Sequence, residues 1–256
     1  MAGRSDWISG RTVLVTGATG GIGLETARAV ARMGAQAVIG ARDTTRGPAV
    51  AEEIRRAGGR AEFLEMDLLS FSSVRRAAEG LRGRALDVLV NNAGIAESAP
   101  FAKTDAALWE RHLRVNATGP YLLTSAVLPG MLERRWGRVI NIASLAGLVG
   151  APYVTAYTAS KHALVGLTRA LAAEVAGRGV TVNAICPGFA ATDIVWNGAR
   201  NIAARTGKSF EEAVEAMARL NPGGRLIEPA EIAAVAAKLL RDDSTNGEAI
   251  VLDGTR

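Results

Sequence analysis

Three residues in the middle of the chain, Ser144, Tyr157 and Lys161, have the types and spacing needed to move a proton to or from an oxygen. Tyr157 and Lys161 begin and end the segment YTASK, and two side chains four apart on a helix share one face. The Lys161 charge is therefore expected to lower the pKa of the Tyr157 phenol from its free value of about 10. A tyrosine tuned in this way serves as a proton donor and acceptor.

Ser144 follows the apolar run VINIA at 139–143. Its hydroxyl can hold the oxygen of a carbonyl or an alcohol while Tyr157 exchanges a proton with that oxygen. The carbon of the same group then still needs a hydride. We therefore expect a nicotinamide site elsewhere in the chain.

The length and composition favour one globular domain spanning residues 1–256. A chain of 256 residues suits a single α/β domain with a large core. The apolar fraction of 48%, without a run of about 18 apolar residues, argues against disorder and against a membrane span. The polar start, Met1 to Arg11, lacks the apolar core of a signal peptide, and the single Cys186 cannot form an internal disulfide. We expect a cytoplasmic protein.

The net charge of +5 does not indicate nucleic-acid binding. The arginines are scattered, paired with glutamates along helical segments and not interleaved with aromatic residues. A phosphorylated cofactor or substrate explains the modest basic excess more simply than a nucleic-acid partner.

Short β-rich runs alternate with segments of helical spacing, which predicts a doubly wound, mostly parallel seven-stranded sheet with helices on both faces, a Rossmann-type α/β fold. The predicted strands are Thr12–Thr16, Ala37–Gly40, Ala61–Leu64, Val88–Asn91, Arg138–Ile142, Val180–Ile185 and Ala249–Leu252. The predicted helices include Leu24–Met33, Pro48–Ala57, Ser72–Leu81, Ala107–Leu132 and Ala156–Ala176. A polar segment around a short helical stretch, Phe210–Leu220, breaks the rhythm at about 190–226 and is interpreted as a substrate lid.

A glycine-rich turn follows the first predicted strand and precedes a helix, where a dinucleotide pyrophosphate binds in such folds. Its sequence is TGATGGIG at 16–23. Glycine also serves ordinary tight turns, but this position between strand and helix favours the dinucleotide.

The end of the second strand bears on which dinucleotide is bound. An acid there would bond the adenosine ribose, whereas an arginine would meet a 2′-phosphate. Ala41 occupies the selective position and Arg42 follows it, which favours NADP(H). A shift of register would instead make Asp43 a ribose ligand, so NAD(H) is not excluded.

Polar residues also follow the third and fourth strands. Asp67 is placed to meet the adenine amino group, or to cap the next helix. The segment NNAG at 91–94 follows strand four, where small residues would line the ribose, although the same residues are common in turns.

Taken together, these motifs make the chain resemble the short-chain dehydrogenase/reductase family in its single-domain form, from about Ser9 to Thr255. The resemblance rests on TGxxxGxG at 16–23, NNAG at 91–94, Asn116, Ser144, YxxxK at 157–161 and Pro187-Gly188, in the family's order and approximate spacing. The family's second C-terminal glycine and longer tail are missing after Gly254.

The resemblance implies a role for each matching residue. Tyr157 would be the general acid in reduction and the base in oxidation, Ser144 would polarise the substrate oxygen, and Lys161 would also bind the nicotinamide ribose. Asn116 resembles the residue whose main chain holds a proton-relay water, and its low helix propensity beside Gly119 and Pro120 fits a distorted helix. The implied cofactor-binding set is Gly17, Thr19, Gly20, Gly21, Ile22, Gly23, Arg42, Asp67, Leu68, Asn91, Ala93, Gly94, Tyr157, Lys161, Pro187, Gly188 and Thr192. Thr192 has the alternative role of a helix N-cap.

Within the family the chain looks most like bacterial 3-oxoacyl-thioester and polyketide ketoreductases. The expected reaction is NADPH-dependent reduction of such a ketone. Two alternatives stay open, namely an NAD-dependent dehydrogenase of a secondary alcohol or 3-hydroxy acid, and a non-catalytic NADP(H)-sensing protein. The predicted pocket is apolar and roomy, lined by Ser144, Leu145, Tyr153, Phe189, Val195 and Trp196.

The resemblance also bears on partners. Arg135 and Arg178 fall where carrier-protein reductases place basic residues, although arginine-rich turns before strands are commonly solvated surface features. The long helices resemble those of the family's four-helix interfaces, so a homotetramer is expected, with a dimer as the alternative. His112 and His162 have no second ligand at metal spacing, so structural roles and no metal are expected.

Overall fold

The computed structural model describes residues 8–81 and 84–255. The N-terminal residues before Ile8, predicted to carry no signal peptide, lie outside this range, as does Arg256. Seven parallel strands form one sheet in the order β3-β2-β1-β4-β5-β6-β7. The strands are β1 Thr12–Thr16, β2 Gln36–Ala41, β3 Arg60–Glu65, β4 Leu86–Asn91, β5 Gly137–Ile142, β6 Val180–Pro187 and β7 Ala249–Leu252. The predicted α/β doubly wound fold is confirmed, and the pairing is parallel throughout.

Helices cover both faces of the sheet. They are α1 Gly21–Arg32, α2 Arg46–Arg56, α3 Phe71–Leu81, α4 Ala106–Leu113, α5 Gly119–Glu133, α6 Thr155–Glu174, α7 Asp193–Thr206, α8 Phe210–Ala218 and α9 Pro229–Leu240. Short 3-10 turns lie at Phe101–Lys103 and Leu145–Gly147.

Alternate residues of the central strands enter two separate cores. Val13 and Val15 of β1 pack with apolar residues of α1, α2 and α9, whereas Leu14 packs with residues of α3 and α5. Side chains alternate between the faces of a strand, so a strand that is apolar at every position must be buried on both sides. The mostly apolar strands of this sequence therefore predict a sheet that is covered on both faces.

The predicted long helix Ala107–Leu132 is interrupted. A π-helical segment, Arg114–Thr118, separates α4 from α5 and contains Asn116. Single-turn π segments inside α-helices are rare and frequent at functional sites. The local distortion predicted around Asn116 is therefore present.

The segment after β6 holds more helix than predicted. Besides α8, which matches the predicted Phe210–Leu220, it contains α7 at Asp193–Thr206. Val195 and Ala199 of α7 are buried against Ala213 and Met217 of α8. The two helices thus form a small core of their own, which we call the lid core.

Candidate active site

The predicted site residues converge at the carboxyl edge of the sheet. Gly17 follows β1, Asn92 follows β4, Ser144 follows β5 and Pro187 ends β6. The strand order reverses direction between β1 and β4, and ligands of open α/β sheets bind in the crevice at this switch point. The fold therefore brings the glycine-rich turn and the Ser144–Tyr157 region to one edge.

The Ser144 hydroxyl is close enough to the Tyr157 phenol to lower the pKa of that phenol. Ser144 has an extended backbone just before the 3-10 turn, and its Oγ also accepts the backbone N–H of Ala146 at 3.1 Å. Tyr157 and Lys161 lie in the first two turns of α6, and the Lys161 Nζ is 5.8 Å from the centre of the Tyr157 ring. The predicted trio is assembled.

The expected lowering of the Tyr157 pKa is wrong for this structure. Burial of the phenol raises its pKa, and the neighbouring Ser144 hydroxyl offsets only part of that effect. Lys161 is 4% exposed, its Nζ donates to the carbonyl of Ile142 at 2.8 Å, and burial lowers its pKa to about 8. Desolvation disfavours the charged form of both groups, and it outweighs the attraction inferred from their spacing.

The Asn116 side chain connects the loop after β4 to the catalytic helix. It is fully buried, and its Oδ1 and Nδ2 pair with the backbone N–H and carbonyl of Ile95, both at 2.9 Å. Its Nδ2 also donates to the Ser160 Oγ at 2.9 Å, and that hydroxyl donates to the Tyr157 carbonyl at 2.7 Å. Asn116 thus stabilises the backbone at Tyr157 through the Ser160 hydroxyl.

The glycine-rich turn is closely packed at one end and open at the other. A Cβ at Gly17, whose φ is +65°, would lie 2.9 Å from the Ala93 Cα, whereas a Cβ at Gly20 would meet nothing within 4 Å. Helix α1 begins at Gly21 without a side-chain cap, so its first backbone N–H groups face the open end. Thr19 and Ile22 are half-buried there. This cradle suits a pyrophosphate.

Arg42 and Asp43 are both exposed just beyond β2. The Asp43 carboxylate accepts the backbone N–H groups of Thr45 and Arg46 at 2.9 and 2.8 Å, which lowers its pKa. Asp43 is thus committed to the turn before α2. That commitment leaves Arg42 as the better candidate of the two for contact with a nucleotide.

Asp67 and Leu68 follow β3 and make mainly structural contacts. The Asp67 Oδ1 accepts the backbone N–H of Leu69 at 3.0 Å, while Ser70, not Asp67, accepts the N–H of Ser73 at the start of α3. The alternative N-cap role of Asp67 is therefore wrong. Leu68 is 6% exposed and packs against Gly119.

The two asparagines after β4 have different surroundings. The Asn91 Nδ2 donates to the Asn141 Oδ1 at 2.8 Å inside the sheet, and Asn91 is 2% exposed. Its side chain therefore does not point to the crevice. The Asn92 Nδ2 instead donates to the carbonyls of Thr16 and Gly17 at 2.8 and 3.2 Å, so Asn92 fixes the glycine-rich turn.

The remaining predicted cofactor residues lie around the same crevice. A Cβ at Gly94 would lie 3.3 Å from the Asn116 Oδ1 and 3.4 Å from the Lys161 Nζ, and one at Gly188 would lie 3.3 Å from a methyl of Leu145. Thr192 is the N-cap residue of α7, but its side chain does not cap the helix and its methyl group lies beside Gly21. Ala93 packs against Gly17.

The predicted pocket residues divide into two groups. Leu145 and Phe189 are half-buried near Gly188, and Tyr153 is 64% exposed with a left-handed φ of +64°. Val195 is 3% exposed inside the lid core, and Trp196 packs on Phe210 with ring centres 6.2 Å apart. Val195 is therefore wrong as a pocket-wall residue, because α7 turns it towards α8.

Sequence reasoning missed several residues that hold the site. Ser160, His112, Asn221 and Cys186 are all buried, and the Asn221 side chain pairs with both backbone groups of Phe189 at 2.8 and 2.9 Å. The Cys186 thiol contacts the Ser144 backbone N–H, and burial raises its pKa. Only Ser160 carried a sequence signal, since it lies one turn after Tyr157 on the same helix.

Other predictions concern regions away from the crevice. Arg135 and Arg178 directly precede β5 and β6, at the edge of the sheet opposite Ser144. His162 is exposed, while His112 is buried. Within residues 8–81 and 84–255, no group of three His, Cys, Asp or Glu side chains could hold a metal ion. Over the same residues, no helix is long and apolar enough to cross a membrane.

Comparison with known proteins identifies the family. A family model for short chain dehydrogenases matches residues 11–203. The chain is 39% identical over 235 residues to granaticin polyketide synthase putative ketoacyl reductase 1 of Streptomyces violaceoruber, covering 90% of this chain and 86% of that protein. It is 37% identical over 252 residues to the 3-oxoacyl-[acyl-carrier-protein] reductase FabG of Aquifex aeolicus, covering 96% and 97%.

A solved structure gives the same result in three dimensions. The crystal structure of a single-residue variant of actinorhodin polyketide ketoreductase with NADPH superimposes with a TM-score of 0.90 at 35% identity, covering 99% of this chain and 98% of that one. Sequence and fold agree along nearly the whole chain. The chain therefore belongs to the short-chain dehydrogenase family of oxidoreductases.

Proposed function

We propose that this protein is an NADPH-dependent ketoreductase that reduces a 3-oxoacyl thioester or a polyketide-like ketone. The observation that carries the proposal is the placement of Ser144, Tyr157 and the buried Lys161 side chain together, at the edge of the sheet that holds the glycine-rich turn. Relatives named as ketoacyl and 3-oxoacyl reductases, and a neighbour solved with NADPH, support the substrate class and the cofactor.

The residues of the cradle fit the cofactor. Gly20 and the uncapped start of α1 would hold the pyrophosphate, Arg42 the 2′-phosphate, and Lys161 the nicotinamide ribose, with Thr192 and Gly188 beside the ring. When bound, the nicotinamide supplies the hydride. The Asp43 Oδ1 accepts two backbone N–H groups, which favours Arg42 over Asp43 as the residue that meets the nucleotide. NADH remains the weaker alternative.

The chain's own residues then handle the proton. Ser144 holds the substrate oxygen through its hydroxyl, and Tyr157 donates its phenol proton to that oxygen. The raised pKa of Tyr157 keeps the phenol protonated at neutral pH. The Lys161 ammonium, which can form because its pKa is about 8, stabilises the phenolate left behind. Asn116 maintains this geometry through Ser160.

The test is NADPH oxidation measured with an acetoacetyl thioester and a panel of bicyclic ketones. Tyr157→Phe should lower kcat by about 10²–10⁴-fold with the NADPH Kd unchanged, because it removes only the transferable proton. Tyr121→Phe, on α5 away from the crevice, is the matched control and should match wild type, because it keeps the aromatic ring. Full activity of Tyr157→Phe contradicts the mechanism, and NADPH binding without turnover of any ketone would favour a cofactor sensor.

The proposal extends to partners and assembly. Tyr121 is 53% exposed beside Ala117, Ala163 and Leu167, which supports a homotetramer assembled through α5 and α6 of neighbouring subunits. A carrier-bound thioester fits the substrate class, but Arg135 and Arg178 lie opposite Ser144 on the same chain, so they would not guide a carrier to that chain's own site. A single buried cysteine fits a reducing cytoplasm. Light scattering with Tyr121→Glu tests the assembly.

A further inference from the structure

His112 lies at the end of α4, beside the proposed catalytic tyrosine. Its side chain is fully buried, and its ring is edge-on to the Tyr157 ring, with centres 6.4 Å apart and planes at 79°. This is a favoured geometry for an aromatic pair. His112 therefore packs beside the ring of the proposed catalytic tyrosine.

Both ring nitrogens of His112 are bound by backbone groups. The backbone N–H of Glu97 donates to Nε2 at 3.0 Å, and Nδ1 lies 2.8 Å from the carbonyl of Leu108. A backbone N–H can only donate and a carbonyl can only accept. The imidazole is therefore neutral in this arrangement, with its proton on Nδ1.

The bond to Glu97 anchors the loop that leaves β4. Asn116 holds this loop at Ile95, and the Glu97 carboxylate pairs with Arg111 at 2.9 Å. The backbone N–H of Ala99 donates to the Tyr153 carbonyl at 2.8 Å. The loop 95–99 thus runs from the cofactor crevice to the segment before the catalytic helix, and His112 holds its midpoint.

We propose that His112 is a positioning residue that sets the catalytic tyrosine relative to the loop 95–99, which is bonded to the predicted pocket residue Tyr153. One edge of the imidazole fixes the orientation of the Tyr157 ring, and Nε2 fixes Glu97. The inference rests on the proposed function for its kinetic consequence. The structural part of the inference does not depend on the substrate: His112 has one fixed tautomer and contacts both Tyr157 and the loop 95–99.

Two substitutions separate the two contacts. His112→Gln keeps an acceptor for the Glu97 N–H but removes the ring, so we expect kcat to fall about three- to tenfold with KM nearly unchanged. His112→Phe keeps a ring against Tyr157 but leaves the Glu97 N–H without an acceptor. We expect the KM for the ketone to rise about three- to tenfold with kcat nearly unchanged. Both variants should bind NADPH as wild type does.

A fall in kcat for His112→Gln together with a rise in KM for His112→Phe supports the proposal. A general loss of stability would instead change the same kinetic constants in both variants. Wild-type kinetics in both, or the same loss in both, overturns it. Two further measurements need no turnover. Nitrogen NMR of the imidazoles, with only two histidines in the chain, should show His112 as the Nδ1–H tautomer, and the Glu97 amide should exchange faster in His112→Phe than in His112→Gln.

These measurements also separate the two proposals. If wild type binds NADPH but reduces no ketone, the proposed function fails, while the tautomer and the exchange rates still decide the role of His112. If neither variant folds, the wild-type tautomer decides it. A Nε2–H tautomer or a mixture of the two contradicts the inference, because the Glu97 bond would then be absent.

Discussion

Replacing Lys161 by methionine should remove a pH dependence of stability that wild type has. The Lys161 ammonium is buried at 4% exposure with one carbonyl partner, and its pKa falls from 10.5 to about 8. In the unfolded chain the same group keeps its ordinary pKa. Between these values the unfolded state binds one more proton than the folded state, so wild-type stability rises with pH.

The magnitude follows from the size of the pKa shift. Each pKa unit corresponds to about 1.4 kcal/mol of unfolding free energy. Between the folded and the unfolded pKa of Lys161, the free energy of unfolding therefore rises by about 3 kcal/mol, of which about 2 kcal/mol falls between about pH 8 and about pH 9.5. Below about pH 8 the full penalty acts on wild type. Methionine has similar length and no charge, but it leaves the Ile142 carbonyl without this donor at a cost of about 1 kcal/mol. Near neutral pH, Lys161→Met should therefore be more stable than wild type by about 1–2 kcal/mol.

Urea unfolding at a series of pH values, without added nucleotide and at one protein concentration, measures this difference. Subtracting the Lys161→Met curve from the wild-type curve cancels the titrating groups that do not interact with Lys161. The difference should be flat below about pH 8 and rise by about 2 kcal/mol up to about pH 9.5. Lys208→Met, at an exposed lid position, is the control and should give a flat difference. A flat or falling difference for Lys161 would refute the assignment of a desolvated ammonium.

Three further predictions concern the cofactor and the pocket. Arg42→Ala should raise the NADPH Kd about 10- to 100-fold and leave the NADH Kd unchanged, whereas Arg46→Ala, whose arginine pairs with Glu53, should change neither in the same titration. Gly20→Ala should fold normally, because a Cβ there meets no protein atom, but it should lose NADPH affinity in a fluorescence titration, because the Cβ would enter the space proposed for the pyrophosphate. Gly23→Ala should also lower Tm, because its Cβ would overlap the Asn92 side chain. Tyr153→Gly relieves a left-handed backbone at an exposed side chain, so calorimetry should show no loss of Tm, while the KM for bulky ketones rises.

The fold was predictable because its signals are local. Most of the strands are short, largely apolar runs, although β3 also carries charged residues, and the observed bounds extend the predicted ones by one or two residues at most. The glycine-rich turn could be placed because it lies between a strand and a helix. Helix α7 was missed because Asn197, Gly198 and Asn201 weaken its intrinsic propensity. Packing of Val195 and Ala199 on α8 stabilises the helix in spite of these residues.

The site was predictable in its residue types but not in its energetics. The spacing of Tyr157 and Lys161 correctly places both on one stretch of helix, but burial depends on β5, β6 and the loop after β4, which lie far away in the sequence. The sign of each pKa shift therefore could not be obtained from spacing. Likewise, the contact between His112 and Tyr157 joins residues 45 positions apart on different helices, and no sequence pattern marks it.

The two pKa shifts together define the resting protonation state of the site. Burial moves both groups towards their neutral forms, so it raises the pKa of Tyr157 and lowers that of Lys161. The phenol is consequently protonated and ready to donate, whereas its use as a base would require a phenolate in the same desolvated position. Donation to a substrate oxygen belongs to reduction. A pair tuned only by mutual attraction would lose the phenol proton more readily, so the depth at which α6 is packed sets how tightly the resting site holds that proton.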